Sequence, residues 1–482
     1  DVLHPPMGSE LEDPDGKYYS SQLALYRHFG GGLLLERLSI DHDNPIAVTN
    51  CEFTNNSSNT GGGVYANNAA VIFNKCKFSS GTAIRGAGVG AINSSSVFNE
   101  CIFSDNKSYK ESGLAGWGGE TRILNSSFLN NETFELGGVA SLSSMSAEVD
   151  NCLFSNNSFP QQGGSLLIFQ VQNASIKNST FSNNNARFGA GMFVRRSNGN
   201  INNCKFLNNT SATGGAIYIE ESTISVNQAT AAGNNAEVDG GVIYSVTSTI
   251  TINGGTYSGN KASRGGGVLT FKSGSVTIDK GLFSENAAQY GGVIRNEGYP
   301  QLTVKNAIFS RNKSTNTAPA MSLAGGAADT LINNLFIQNK DNSTVGGGAI
   351  CLYNGNYFIV NNTFYADSTN GRGSAIRLEG TGGSCNLRNN LFYKCKAASG
   401  TEVYNDAAMP YTESHNSFSV NPVFRNEASP AGPDNTWGTF DDGLIITGTT
   451  PVANAGDTSG IGHIIPSFDI AGNPRIVGRQ ID

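Results

Sequence analysis

Hydrophobic and polar positions repeat along most of this chain with a period of about 25 residues. In each repeat an aromatic residue is followed three positions later by asparagine, as in Phe53 with Asn56 and Phe103 with Asn106. The aromatic position recurs at Phe53, Phe78, Phe103, Phe128, Phe154, Phe181, Phe206, Ala231, Tyr257, Phe283, Phe309, Phe336, Phe364, Phe392 and Phe418. Only Ala231 is not aromatic. A fixed period of this length is the signature of a solenoid, in which each repeat is one turn.

Other positions in the repeat are equally regular. Five residues before the aromatic stands an apolar residue, such as Val48 or Ile123, and about ten residues earlier a second strand opens with small residues, as in Gly240-Gly241-Val242-Ile243. Each repeat therefore predicts two or three short strands with glycine or asparagine corners. One repeat cannot bury its own apolar face, so the repeats must stack. The pattern predicts an all-β, single-stranded, right-handed parallel β-helix of about 15 turns.

The asparagine column predicts a corner. Asparagine tolerates the left-handed conformation and can pass side-chain hydrogen bonds from one turn to the next. Gly81, Asp367 and Cys395 replace it in three turns. We expect an N-terminal cap over residues 1–40, the β-helix over 41–421, and a C-terminal cap or tail over 422–482.

Composition narrows the class of protein. Charged residues make up 14%, the formal net charge is −7, and no apolar run approaches the ~20 residues of a membrane-spanning helix. The acidic balance argues against a nucleic-acid partner. It fits a protein that is secreted or displayed on a bacterial surface, although no signal peptide is recognisable, and we expect a monomer.

Five of the eight cysteines share one column, two positions before the aromatic. They are Cys51, Cys76, Cys101, Cys152 and Cys204. Serine, alanine, glycine and asparagine occupy this column in other turns, so cysteine is interpreted as a small hydrophobic residue. Parallel Cβ vectors suit disulfide geometry badly, and we expect mostly free, buried thiols, with bridges among the first three cysteines left open.

Two resemblances bear on function. The segments Gly432-Pro433-Asp434-Asn435-Thr436-Trp437 and Asp469-Ile470-Ala471-Gly472-Asn473-Pro474 resemble the tail of secreted bacterial β-helix repeat proteins, notably those of Bacteroidetes. In that group the tail leads into an anchoring or secretion-related C-terminus. The Gly-Gly-Ala-Ile and Phe-x-x-Asn motifs are similar to those of chlamydial polymorphic outer-membrane proteins. That likeness implies adhesion, but this chain departs from the family in lacking an autotransporter β-barrel at its end.

Candidate chemistry lies on the strand after the small-residue corner. Aromatic and charged residues recur at its second and fourth positions, where they should share one face and could stack on, or hydrogen-bond to, sugars. The candidate ligand-binding residues are Tyr218, Tyr244, Arg195, Glu220, Lys272, Arg295, Glu297, Arg377 and Glu379. The competing interpretation is that these are outward positions, with Arg195–Glu220 and Lys272–Glu297 as ion pairs between turns.

A second candidate site is the glycine-bounded loop from Asp434 to Asp442. Its oxygen ligands would be Asp434, Asn435, Asp441 and Asp442, and Ca²⁺ is the cation they would suit.

Three functions remain open. The first is a surface-exposed or secreted structural or adhesive protein that binds carbohydrate, such as a polysaccharide or a cell-surface glycan. The second is a lyase or glycoside hydrolase acting on an acidic polysaccharide. A hydrolase needs carboxylates that converge on one lateral face, and no repeat concentrates them. The third, a trimeric fibre, lacks a coiled-coil signature.

Overall fold

The structure is a computed structural model. It describes residues 29–36, 44–135, 137–143, 146–325, 328–447, 450–453, 455–462, 465–474, 476–477 and 480–481. The chain divides into two compact units, Asp1–Gly199 and Asn200–Asp482, and each is described by itself. The described residues form strands and tight turns, with no α-helix among them.

One turn of the solenoid visits three parallel sheets. Its path is illustrated by the strands Val64–Asn67 and Ala70–Asn74 of sheet 1, Lys77–Ser79 of sheet 2 and Thr82–Arg85 of sheet 3. Every strand in these sheets pairs in parallel with the equivalent strand of a neighbouring turn, for example Phe78 opposite Phe103. The turns are therefore held together by hydrogen bonds between residues about 25 positions apart.

In the first unit, sheet 1 contains Leu33–Glu36, Ile46–Thr49, Val64–Asn67, Ala70–Asn74, Val89–Ile92, Ser95–Asn99, Leu114–Trp117, Glu120–Leu124, Ala140–Ser143, Ser146–Asp150, Leu166–Phe169, Asn173–Lys177 and Met192–Arg195. Sheet 2 contains Glu52–Thr54, Lys77–Ser79, Ile102–Ser104, Ser127–Leu129, Leu153–Ser155 and Thr180–Ser182. Sheet 3 contains Ser57–Thr60, Thr82–Arg85, Lys107–Ser108, Glu132–Thr133, Ser158–Phe159 and Asn185–Phe188. The strand Asn198–Asn202 spans the boundary between the units.

In the second unit, sheet 1 contains Ile217–Glu220, Thr223–Asn227, Ile243–Asn253, Leu269–Asp279, Ile294–Glu297, Gln301–Lys305, Met321–Ala324, Ala328–Ile332, Ile350–Val360, Ile376–Arg388, Val403–Asn405 and Tyr411–Ser414. Sheet 2 contains Lys205–Leu207, Thr230–Ala232, Thr256–Ser258, Leu282–Ser284, Ile308–Ser310, Leu335–Ile337, Thr363–Tyr365, Leu391–Tyr393 and Ser417–Phe418. Sheet 3 contains Thr210–Thr213, Asn235–Asp239, Lys261–Ala262, Ala287–Tyr290, Lys313–Thr317, Lys340–Asp341 and Ser368–Thr369. The strands Ile476–Val477 and Gln480–Ile481 form a separate antiparallel pair.

The predicted parallel β-solenoid is confirmed, with about 14 turns against the 15 or so expected. The turn at Ala231, which lacks the aromatic residue, also follows the repeat, because Thr230–Ala232 pairs in register with Thr256–Ser258. Leu33–Glu36, from the predicted N-terminal cap, is a strand paired with Val64–Asn67. The rest of that cap over residues 1–28 and 37–40 lies outside the described residues.

The aromatic column forms the interior face of sheet 2. In the first unit, successive rings from Phe53 to Phe181 stack with centroids 4.5–5.2 Å apart. In the second unit, rings from Tyr257 to Phe418 stack at 4.6–5.0 Å. Ring spacing thus follows the strand spacing of about 4.8 Å, which is why the aromatic recurs in nearly every turn.

The asparagine column forms a buried ladder at the corner between sheets 2 and 3. Asn286 is representative: its Nδ2 donates to the Tyr257 carbonyl at 2.9 Å and to Asn312 Oδ1 at 3.1 Å. Its own Oδ1 accepts hydrogen bonds from the backbone N–H and side-chain Nδ2 of Asn260. One side chain therefore satisfies buried groups in the turns on both sides of it. The prediction that asparagine passes hydrogen bonds between turns is confirmed.

The predicted left-handed conformation of this asparagine was wrong. Positive φ belongs to the residue immediately before it, as at Asn130 with φ 55° and Asn156 with φ 57°. The ladder residues Asn131 and Asn157 are not in this region. The corner thus divides two tasks between consecutive residues: the first turns the chain, and the second is buried and bonds between turns.

All eight cysteines are free, six of them buried and Cys51 and Cys395 half-buried, so the expectation of free thiols is confirmed. Burial raises the pKa of Cys101 to about 12. The column also carries hydrogen bonds that the sequence interpretation missed. Cys101 Sγ lies 3.4 Å from the Phe73 carbonyl, and Asn334 Nδ2 donates to the Val304 carbonyl at 3.0 Å. Cysteine, serine and asparagine in this column therefore share a small side chain that donates a hydrogen bond to a carbonyl of the neighbouring turn.

Asp367 is a carboxyl in the asparagine ladder. Its Oδ1 accepts from Asn339 at 2.8 and 2.9 Å, but its Oδ2 is buried without a partner. In other turns this second atom is an amide nitrogen that donates to a carbonyl, as Asn339 does to Phe309. Burial raises the pKa of Asp367 to about 8. Folding therefore takes up a proton, and stability falls as pH rises from about 4, the ordinary aspartate value, toward 8.

We predict that Asp367→Asn stabilises the protein by about 1–3 kcal/mol at pH 8, because it restores the missing donor. The gain should shrink toward pH 4. Chemical unfolding at both pH values measures it. The matched control, Asn312→Asp, should destabilise the fold increasingly as pH rises. A loss of stability in Asp367→Asn would contradict this account of the ladder.

Candidate functional site

The candidate residues lie on the outer face of sheet 1. Within the second unit, Tyr218 pairs in register with Tyr244, and Tyr244 with Thr270, which pairs with Arg295. Lys272 pairs in the same way with Glu297 two positions along. Alternation of side chains along a strand puts both positions on the same face. The sequence therefore placed these residues in the correct columns.

Two tyrosines begin this face. The rings of Tyr218 and Tyr244 stack with centroids 5.4 Å apart and planes 24° from parallel. The Lys272 ammonium lies 5.7 Å from the centre of the Tyr244 ring, within cation–π range. Tyr244 is buried by these neighbours, whereas Tyr218 is half-buried. Solvent therefore reaches Tyr218 and Lys272, whose side chain is 39% exposed, but not Tyr244 between them.

Five charged side chains form what we call the Asp239 cluster: Asp239, Arg264, Lys272, Arg295 and Glu297. Glu297 contacts Lys272 at 2.8 Å, Arg295 at 3.1 Å and Arg264 at 3.5 Å. Asp239, almost fully buried, binds Arg264 and lies 3.7 Å from Arg295. The expected Lys272–Glu297 ion pair is present. Three cations face two carboxylates, so the cluster carries an excess of one positive charge.

The ion pairs shift the pKa values of Glu297 and Lys272 away from neutrality. Burial opposes ionisation of Glu297, but the hydrogen bond from Lys272 and the charge of Arg295 outweigh it and hold its pKa below the ordinary value. The hydrogen bond to Glu297 raises the pKa of Lys272. Glu297 is therefore a poor proton donor and Lys272 a poor base near neutral pH.

Sequence reasoning missed Asp239 and Arg264. Both stand immediately before a small-residue corner, in Asp239-Gly240-Gly241 and Arg264-Gly265-Gly266. They therefore precede the strand that carries the other candidate residues: Asp239 ends a strand of sheet 3, and Arg264 lies in the corner that follows this sheet. Asp239 pairs with Gly265, so Arg264 lies one position earlier in its turn than Asp239 does in its own. The repeat spacing therefore gave no signal that relates the two residues.

Arg377 is the centre of a second cluster in later turns. Its guanidinium contacts Glu379 at 2.6 Å and Asp406 at 2.8 Å, and it donates to the Val345 carbonyl at 2.6 Å. Arg372 also contacts Asp406, at 3.3 Å, and lies over the Tyr404 ring. Hydrogen bonding from Arg377 lowers the pKa of Asp406. The candidate residues Arg377 and Glu379 are thus brought together, but Arg377 is buried and already paired.

The remaining candidates are placed separately. Arg195 ends the strand Met192–Arg195 in the first unit, and Glu220 ends the strand Ile217–Glu220 in the second. Their predicted pairing between turns stays a prediction.

The carboxylate oxygens of the loop from Asp434 to Asp442 accept hydrogen bonds from other residues of the same loop. Asp434 Oδ1 accepts from the Thr436 N–H at 2.8 Å, Asp441 Oδ1 from the Thr439 hydroxyl at 2.6 Å, and Asp442 Oδ2 from the Gly438 N–H at 2.9 Å. Asn435 is exposed in a left-handed turn, with φ 53°. Within the described ranges, no group of three histidine, cysteine, aspartate or glutamate side chains could hold a metal ion. Calcium binding by this loop stays a prediction.

Carboxyl groups with raised pKa values lie inside the solenoid. Burial raises the pKa of Glu111 and of Asp329 to about 7. Burial also raises the pKa of Asp341. Asp329 is on sheet 1, Asp341 on sheet 3, Asp367 at the corner between sheets 2 and 3, and Glu111 in the first unit. All four are buried, so a polymer at the surface does not reach them.

Comparison with known proteins agrees with this architecture. A family model described as the right handed beta helix region matches residues 37–186 and 112–283, together just over half of the chain. The chain belongs to this right-handed β-helix family. No curated protein and no solved structure matches it. In the part of the chain that the structure describes, no helix has the length and hydropathy to cross a membrane.

We predict that Asp239→Asn destabilises the second unit by about 2–3 kcal/mol, because it leaves Arg264 and Arg295 without a buried counter-charge. Chemical unfolding measures this loss. The matched control is Asp279→Asn, which removes the charge of a half-buried partner 3.2 Å from Lys305 and should cost less than about 1 kcal/mol. Equal effects of the two substitutions would contradict the buried role of Asp239.

Proposed function

We propose that this chain is a non-catalytic structural or adhesive β-solenoid, secreted or displayed on a bacterial surface, that binds acidic glycans through the Asp239 cluster and Tyr218. The observation that carries the proposal is the pairing of Lys272 and Arg295 with Glu297, which keeps Glu297 ionised and Lys272 protonated. Fixed charges suit binding, whereas acid–base catalysis needs a group that titrates near the working pH.

The chemistry of this face favours an acidic ligand. Arg264 and Lys272 have side chains 44% and 39% exposed, and the cluster has one more cation than it has carboxylates. A sugar carboxylate or sulfate near these two side chains would meet a positive field. The half-buried Tyr218 ring, which stacks on Tyr244 of the same sheet, offers an apolar face for a sugar ring.

The polysaccharide lyase or hydrolase receives less support. A lyase would need a base, such as a lysine that is deprotonated near neutral pH. The pKa of Lys272 is raised, so this side chain stays protonated. A hydrolase would need two carboxyls, one of them neutral, on the same accessible face. The carboxyls with pKa values near 7 are buried in different parts of the solenoid. Location outside the cell rests on the likeness of the tail to secreted β-helix proteins.

Binding to immobilised acidic polysaccharides tests the proposal, with reducing ends and unsaturated products measured in parallel. We predict salt-sensitive binding without turnover, weakened about tenfold by Lys272→Gln. The matched control is Lys305→Gln, since Lys305 is an equally exposed, ion-paired lysine of the same sheet. Because the pKa shifts keep Glu297 ionised and Lys272 protonated, affinity should be constant from about pH 5.5 to 9.

Turnover of any polysaccharide in the panel would overturn the non-catalytic proposal. Equal binding by the parent and Lys272→Gln would remove the Asp239 cluster from the site. Failure to bind any acidic glycan would leave a purely structural solenoid.

A further inference from the structure

A cavity lies between the solenoid and the C-terminal tail, entirely within the second unit. We call it the tail cavity; its volume is about 520 Å³, within the range of ligand pockets. One wall is the corner between sheets 1 and 2, at Asn333, Asn361 and Asn389. The opposite wall belongs to the tail and includes Trp437 and Ile470.

The tail is fixed on both sides of this cavity. Asn389 exchanges two hydrogen bonds with Asp457, at 2.9 and 3.0 Å. Asn333 Nδ2 lies 3.4 Å from the Phe468 carbonyl. Trp437 packs against a cluster that includes Leu335. The cavity is therefore bounded by contacts that hold its walls together.

Asn361, between these two anchors, has an unsatisfied donor. Its Oδ1 accepts from Asn389 Nδ2 at 3.1 Å, and Asn333 Nδ2 donates onward to Asn306 at 2.6 Å. The Asn361 Nδ2 itself is buried without a partner, in a side chain only 6% exposed. Ser417, which also lines the cavity, has a buried hydroxyl without a partner. Leaving such a group unsatisfied costs about 1–3 kcal/mol, and a ligand oxygen would remove that cost.

The charged side chains around the cavity are hydrogen-bonded to neutral groups of the tail. Asp469 accepts hydrogen bonds from Asn473 at 2.7 and 2.9 Å. Asp442 accepts from the Gly438 N–H, and Arg425 donates to the Phe440 carbonyl. These three groups are two carboxylates and one guanidinium, so they offer an acidic ligand no excess of positive charge. The unsatisfied groups are a neutral amide and a hydroxyl, beside an aromatic ring.

We propose that the tail cavity binds a neutral saccharide, which packs against Trp437 and accepts a hydrogen bond from the Asn361 amide. A sugar has the two surfaces required: hydroxyl groups for Asn361 and Ser417, and a C–H face for the indole. This site goes beyond the acidic-glycan face and shares no residue with it.

Tryptophan fluorescence of the full chain tests the site. The chain has two tryptophans, so Trp117→Phe leaves Trp437 as the reporter. Titration with neutral mono- and oligosaccharides should give a saturable change for at least one sugar. Adding Asn361→Ala should weaken that affinity about tenfold, the value of one good hydrogen bond. Uronic-acid oligosaccharides form the second arm and should bind more weakly than the neutral sugar.

Asn125→Ala is the matched control. Asn125 occupies the same corner position in the first unit, and its Nδ2 is paired with Asn99 at 3.0 Å, so its loss should leave sugar affinity unchanged. Circular dichroism verifies that each variant is folded. No response to any neutral sugar, an unaffected Asn361→Ala variant, or preference for uronic acids would overturn the proposal. Lys272→Gln should leave this binding intact, which separates it from the proposed acidic-glycan site.

Discussion

The solenoid depends on the satisfaction of backbone groups at its buried corners. A chain that turns three times in every 25 residues breaks its own strand ladders at each corner, where unpaired N–H and C=O groups would be costly. The buried asparagines answer this need, since Asn286 alone bonds to Asn260, Asn312 and the Tyr257 carbonyl. The aromatic stack fills the interior beside them. Together they fix the period of the sequence.

This constraint separates scaffold from function. Interior columns must repeat for the turns to stack, so the residues in them indicate the fold and not the function. Outward columns are free to vary, and there the second unit collects Lys272, Arg295 and Glu297 in ion pairs. The same asparagine chemistry appears at the corner between sheets 1 and 2, but it is incomplete at Asn361. The unpaired amide of Asn361, in a column whose neighbouring amides are hydrogen-bonded, is therefore the feature that supports a binding site in the tail cavity.

The sequence predicted the periodic part of this structure and missed the parts that depend on side-chain geometry. The aromatic column, the asparagine hydrogen bonds, the free thiols and the Lys272–Glu297 pair all follow from spacing. The left-handed residue was misplaced by one position, because Asn130 and Asn131 are chemically identical and only the fold distinguishes them. Asp239 and Arg264 were missed because they precede the strand that carries the other candidate residues. The tail cavity could not be predicted, since Asn361 and Trp437 are 76 positions apart and no repeat relates them.

Hydrogen exchange in the turns around Asn286 tests the central role of the ladder most directly. In Asn286→Ala, the Asn260 N–H and the Tyr257 carbonyl lose their partners. Amides in these turns should then exchange faster by an amount equivalent to about 2–4 kcal/mol of local stability. Asn235→Ala, at an exposed position of sheet 3, should change exchange little. Equal protection of these turns in both variants would contradict the claim that buried asparagines hold the turns together.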